Sequence, residues 1–440
     1  MVEPIHPMEL REKGERRKRL IIESDDEDDN FIDRLEMKYR LRELERERKK
    51  ELGEFISDDE SIDLKHLGED EEDDESEEDE EVIYSSIISN FPMDQESKSR
   101  LLTLVSDYHK GDMDGSDRYK IKKYLDGIIK VPFGKYHSEQ ISRDDTFDKK
   151  RNFLEKIRLN MNKFIFGQQH AKNTIIEIIS KKINNPTGLG NIIALSGPPG
   201  VGKTSLIRDG LSKAYGAPFN FVSLGGMGKG SGSLRGSDFS FIGSGWGRIV
   251  DILMRSGCMD PIIFFDELDK ISMSEDGTDI ISCLIHLTDP SQNKEWEDGY
   301  YTGIPFDLSR TTVIFSMNDE DMIPDVLKDR ITIIRLKGFD ENQKLEISTK
   351  YSLPKLFRDV GFESTDIIIP TDTIKMLIKR YCHEDGVRKL EKCLRMLIMK
   401  FNYFNMIELG DDRYKEFLPY KIDPYEARII LDQVFQPGNS

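Results

Sequence analysis

The stretch Gly197-Pro198-Pro199-Gly200-Val201-Gly202-Lys203-Thr204 decides how the rest of the chain is read. It falls between an apolar run at 191–196, which reads as a buried strand, and a helical stretch at 205–215. A glycine-rich turn between strand and helix leaves backbone amides free to surround an anion, and the helix N-terminus adds the positive end of its dipole. Lys203 is then placed to neutralise the β- and γ-phosphates of ATP, and the Thr204 hydroxyl to ligate Mg2+. Together with Ser205, these residues form the expected nucleotide-binding set.

The next parts lie downstream. Pro261-Ile262-Ile263-Phe264-Phe265-Asp266-Glu267 is an apolar strand ending on two carboxylates. Asp266 is expected to hold Mg2+ through water, and Glu267 to orient or deprotonate the attacking water. Asn318 ends another apolar strand, where a neutral amide can contact the γ-phosphate or position the water. Arg330 sits just before a fifth strand, where an arginine can reach a neighbouring subunit's nucleotide, and Arg388 opens a later helix.

Expected strands at 191–196, 219–224, 262–266, 312–317 and 331–336 alternate with amphipathic stretches. That alternation predicts an α/β fold: a five-stranded parallel sheet with helices on both faces. After Gly338 helical periodicity takes over at 341–351, 371–381 and 387–401, so residues 339–409 are expected to form an all-helical subdomain and 410–440 a tail with no clear pattern. Residues 83–161 are also helical in pattern, with Pro132 ending the run. The α/β part is therefore placed at 162–338.

The 440 residues carry a formal charge of −19, concentrated near the start: Glu69 to Glu81 is acidic at every position except Ser76. Such a block repels itself if packed, so residues 1–82 are expected to be a disordered, charged tail. Its basic patch, Arg11 to Arg19, reads as a solvated charge run in preference to a nuclear-import or nucleic-acid contact, and the acidic block as a solubilising spacer in preference to a contact for basic proteins. Four scattered cysteines suggest neither a zinc site nor a disulfide framework. The absence of a signal-peptide core or a long apolar run leads to the expectation of a soluble, intracellular protein of cytoplasm or nucleus, with no membrane contact.

Longer blocks narrow the reading. Ser223-Leu224-Gly225-Gly226, Leu234-Arg235-Gly236, Phe241-Ile242-Gly243 and Gly247-Arg248-Ile249 resemble the ATPase module of the Lon proteases. So do residues 264–270, Asp289-Pro290-Ser291-Gln292-Asn293, residues 304–308 and Gly386-Val387-Arg388-Lys389-Leu390-Glu391. Upstream, Tyr124-Leu125-Asp126, Val131-Pro132-Phe133-Gly134-Lys135 and Phe166-Gly167-Gln168-Gln169 resemble the segment preceding that module. The resemblance covers roughly residues 95–405.

The resemblance implies an AAA+ P-loop fold and a homo-hexameric ring acting on polypeptide substrates. By position, Arg330 corresponds to the arginine finger and Arg388 to the second sensor. Phe241 and Ile242 correspond to the pore loop that grips unfolded chain, and Trp296 falls where a second pore loop would lie; its flanking Glu295 and Glu297 suggest exposure. Residues 227–233 are richer in glycine than the family pattern and one residue longer. Neither the Lon substrate-recruiting domain nor the Pro-x-Asp-Gly-Pro-Ser-Ala-Gly nucleophile segment has a counterpart in these 440 residues, so peptidase activity in this chain is not expected. An ATP-driven unfoldase or remodelling ATPase is the leading expectation. The alternatives are a ring feeding a separate peptidase, and an interaction scaffold or nucleic-acid-associated switch.

Overall fold

A computed structural model describes residues 73–109, 114–137, 141–185, 192–227, 232–241, 243–271, 275–363, 366–404 and 419–435. The basic patch, most of the charged tail, Ile242, Asn191 and residues 228–231 and 410–418 lie outside them. The chain divides into two compact units, one ending at Ile129 and the other beginning at Lys130.

The first unit holds helices α1 (Asp73–Ser89), α2 (Gln95–His109) and α3 (Gly115–Ile128). The end of the acidic block, expected to belong to a disordered tail, is therefore helical. Burial of Tyr84 and Ile88 one turn apart anchors α1. The Tyr84 hydroxyl donates to Asp126 at 2.5 Å, and Lys122 pairs with Glu80 at 3.0 Å, tying α1 to α3.

The second unit opens with α4 (Phe147–Phe164) and α5 (Gln169–Asn184). The expected edge near 161 is thus not where packing changes, because Phe153, Ile157 and Met161 of α4 share a core with the sheet. Its strands are β1 (Ile192–Ser196), β2 (Phe219–Ser223), β3 (Ile262–Asp266), β4 (Trp296–Glu297), β5 (Pro305–Phe306), β6 (Thr312–Met317) and β7 (Thr332–Arg335). Five are parallel in the order β2-β3-β6-β1-β7, while β4 and β5 form a separate antiparallel pair. Central strands β1 and β6 are buried throughout, as a sheet covered on both faces requires. Edge strand β2 exposes Phe221.

The helical part beyond the sheet is built around the helices Leu353–Val360, Thr371–Tyr381 and Arg388–Phe404. The helix expected at 341–351 runs on through a π-helical segment, Ser348–Ser352, into the first of these. One finding corrects the all-helical expectation and another the reading of the tail. Strand β8 (Ile367–Ile368) pairs in parallel with β9 (Tyr420–Lys421), and the helix Pro424–Asp432 buries Ala427 and Leu431 in the same core. An Asp423–Glu426 capping box starts that helix, so the stretch read as patternless contains a well-formed element. Among the described residues no helix is long and apolar enough to cross a membrane.

Candidate active site

Three neighbouring strands, β3, β6 and β1, end side by side at their C-terminal edge, and each delivers part of the expected set there. From β1 the chain turns through Gly197, Gly200 and Gly202, with φ of 153°, 79° and 91°. A Cβ at Gly197 would lie 2.5 Å from the Leu336 carbonyl oxygen, so the turn has no room for a side chain. The helix that follows runs through Lys203–Ser205, Leu206–Ser212 in π geometry, and Lys213–Tyr215.

Lys203 Nζ donates to the carbonyls of Gly197 at 2.5 Å and Pro198 at 3.1 Å, and to Asn318 Oδ1 at 2.7 Å. Burial lowers its pKa, opposed by the charges of Asp266 and Asp269. Asp266 accepts a hydrogen bond from Ser316 Oγ, one strand over. Glu267 sits in the left-handed region at φ 62°, which re-aims its carboxylate as the strand ends. Ser223 Oγ is 3.5 Å from Glu267 Oε2, and a Cβ at Gly225 would come within 2.6 Å of the same oxygen. The run Ser223-Leu224-Gly225 therefore makes room for that carboxylate.

Arg388 arrives from the helical part. Val387 N donates to the Gly200 carbonyl at 3.1 Å, and a Cβ at Gly386 would collide with the Pro199 carbonyl oxygen. Only glycine allows this approach, which presses the start of the Arg388 helix against the loop. Arg330 is not brought to this loop: its Nη1 pairs with Asp289 Oδ2 at 2.6 Å. Hydrogen bonds from Ser291 and Arg330 hold the Asp289 carboxyl at about 2. The pair is part-buried, its Arg330 and Asp289 side chains 31% and 15% exposed.

Sequence reasoning missed Asp269. Its carboxylate is buried in the turn after Glu267, and neither oxygen has a hydrogen-bond partner although Lys270 Nζ lies 3.4 Å away. An orphaned carboxylate beside a glycine cradle and a lysine fits a site completed by a nucleotide and a hydrated cation.

Residues 193–339 match the family model for the ATPase family associated with various cellular activities, and residues 358–403 match the Lon protease AAA+ ATPase lid domain. The chain carries the AAA+ ATPase module of the Lon family. A Lon protease homolog of Acanthamoeba polyphaga mimivirus is 35% identical over 66% of this chain and 28% of its own length. The Lon protease of Lawsonia intracellularis is 32% identical over 84% of this chain and 40% of its own, and that of Aster yellows witches'-broom phytoplasma 35% over 71% and 38%. The chain thus spans less than half the length of these curated relatives.

The Lon-type module places the two expected pore positions differently. Phe241 is 67% exposed at the tip of a turn in which its N–H donates to the Asp238 carbonyl and its own carbonyl accepts from Ser244 N. Trp296 is 2% exposed, which corrects the expectation of an exposed pore residue. It pairs with Phe306 across β4 and β5, and the Arg235 guanidinium lies 5.2 Å over its ring.

Asp298, also unrecognised from sequence, fixes the base of the Phe241 turn. It is fully buried and accepts from Gly247 N at 2.8 Å and Tyr300 N at 2.9 Å, while Gly236 leaves it room. Burial pushes its carboxyl up to about 7 despite those donors. The folded chain therefore holds this proton up to about pH 7, whereas the unfolded chain releases it near 3.8. Stability is expected to fall by a few kcal/mol as pH rises between those values, then to level off. Thermal melting of wild type and Asp298→Asn across that range checks this: the variant should lose most of the slope, and an unchanged slope would assign it to other groups.

Proposed function

We propose that this chain hydrolyses ATP to unfold or remodel polypeptides, working as a homo-hexameric ring. The observation that carries the reading is the convergence of Lys203, Asp266, Glu267 and Asn318 on the C-terminal edge of three adjacent strands, with Arg388 pressed onto the phosphate loop from the lid. In this proposal the loop amides and Lys203 bind the phosphates, Lys203 exchanging its carbonyl partners for phosphate oxygens. Thr204, and Asp266 through water, would hold Mg2+, which supplies positive charge at the β- and γ-phosphates. Glu267 orients the attacking water and accepts its proton, and Asn318 fixes both Lys203 and that water.

Arg330, held only by Asp289 on its own subunit, serves the neighbouring subunit's nucleotide in this arrangement. Arg388 reports the γ-phosphate to the lid. Phe241 supplies a bulky apolar grip that packs against any chain without reading its sequence. Peptide-bond cleavage is not assigned to these residues, since no nucleophile segment of the Lon type occurs among them.

The test separates grip from hydrolysis. Phe241→Ala is expected to keep steady-state ATPase within about twofold while slowing ATP-dependent unfolding of a tagged fluorescent protein about tenfold or more. Unfolding at the wild-type rate by the variant would remove the pore role.

A further inference from the structure

A second cavity lies at the other end of the sheet from the phosphate loop. Its volume is about 240 Å³, and its lining includes His137, Arg143, Lys182, Tyr215, Asp260 and Arg310. Asp260 precedes β3 and Arg310 precedes β6, which puts the cavity at the N-terminal ends of the strands.

Lys182, at the end of α5, is 4% exposed. Its Nζ donates to two neutral oxygens, the Arg310 carbonyl at 2.7 Å and Thr312 Oγ1 at 2.5 Å, and lies 5.7 Å over the Tyr215 ring. An ammonium has three donors, so one is left over in the wall of the cavity, where the Asp260 carboxylate acts on it by charge and not by a hydrogen bond. Beside it, His137 Nδ1 is 2.6 Å from Asp260 Oδ2, and His137 N donates to Asp260 Oδ1 at 2.8 Å. Both oxygens of that carboxylate are thus committed to His137. The imidazole is fixed in orientation, and with its Nδ1–H given to Asp260 the Nε2 atom can donate to an anion only when the ring carries both protons.

The lining therefore holds a buried cation and an oriented imidazole, with Arg143 and Asp144 both exposed, while its one buried carboxylate, Asp260, is already engaged by His137. A buried donor without an acceptor is costly, and Arg143, Lys182 and Arg310 outnumber Asp144 and Asp260 in the lining. We propose that this cavity binds a small oxyanion, phosphate or a compact carboxylate, between the Lys182 ammonium and the His137 imidazole. Burial holds Lys182 down at about 8, against the opposing charge of Asp260.

The experiment uses the full chain with its nucleotide site saturated by a magnesium complex of a non-hydrolysable ATP analogue, so that added anion cannot report on the phosphate loop. Inorganic phosphate and malonate are titrated separately by calorimetry, with sodium chloride at equal ionic strength as control. Saturable binding of either is expected, and the one that binds names the anion class. Lys182→Met and His137→Gln should each weaken it about tenfold while leaving ATPase near wild type, since charge-assisted hydrogen bonds carry the recognition. Should Lys182→Met not fold, His137→Gln, at a position whose side chain is 12% exposed, decides alone. Absence of saturable binding of both anions, or undiminished binding in a folded variant, overturns the proposal.

Discussion

Glu267→Gln is expected to slow ATP hydrolysis about a thousandfold, within the range a positioned general base contributes, while nucleotide affinity stays within about twofold of wild type. Glutamine keeps the volume and one acceptor oxygen, so the 3.5 Å contact with Ser223 and the space left by Gly225 are retained. What is lost is the ability to take a proton from water. Binding survives because its donors, the loop amides and Lys203, lie on a different strand end. The left-handed backbone at Glu267 costs on the order of 1–2 kcal/mol, a strain that selects where this one carboxylate points. Steady-state phosphate release and titration with a fluorescent nucleotide read the two quantities separately. Equal hydrolysis rates, or none in either protein, would sink the motor reading; loss of binding together with hydrolysis would show instead that Glu267 holds up the site.

The parts of the fold that were legible in sequence are those whose burial is continuous. Residues 262–266 and 312–317 are strands at the expected positions because the sheet is covered on both faces, which makes both strands buried and largely apolar, the first ending on Asp266 and the second followed by Asn318. The phosphate loop was legible for a different reason: its glycines are dictated by backbone geometry, which only that residue type satisfies. By contrast, β8 and β9 are two residues each and their partners lie more than fifty positions apart, so no local period marks them. Asp298 and Asp269 look like any surface carboxylate in sequence and acquire meaning only through burial. Arg330 shows the same limit from the other side, since motif position proposes a neighbour's phosphate while the folded chain supplies Asp289.

Trp296→Ala is expected to destabilise the α/β part by about 3–5 kcal/mol, the cost of emptying a large buried aromatic site, and not to act as a selective block of polypeptide grip. The sequence Glu295-Trp296-Glu297 invited the opposite reading because charged neighbours suggest exposure. In a strand, however, successive side chains point to opposite faces, so Glu297 is exposed where Trp296 is buried, while Glu295 belongs to the 3-10 turn before the strand. Trp296 lies in β4 facing Phe306 of β5, which also stacks with Phe133. Its indole N–H has no hydrogen-bond partner, and a buried donor left so costs about 1–3 kcal/mol. Trp296→Phe removes that donor and keeps most of the packing, so it should fall close to wild type. Denaturant melting of both variants, with ATPase measured alongside, distinguishes the roles: a structural Trp296 loses stability and hydrolysis together in the alanine variant and neither in phenylalanine. An alanine variant with unchanged melting and ATPase but lost unfolding would instead return Trp296 to the pore, and would mean that the ring exposes a side chain the single chain buries.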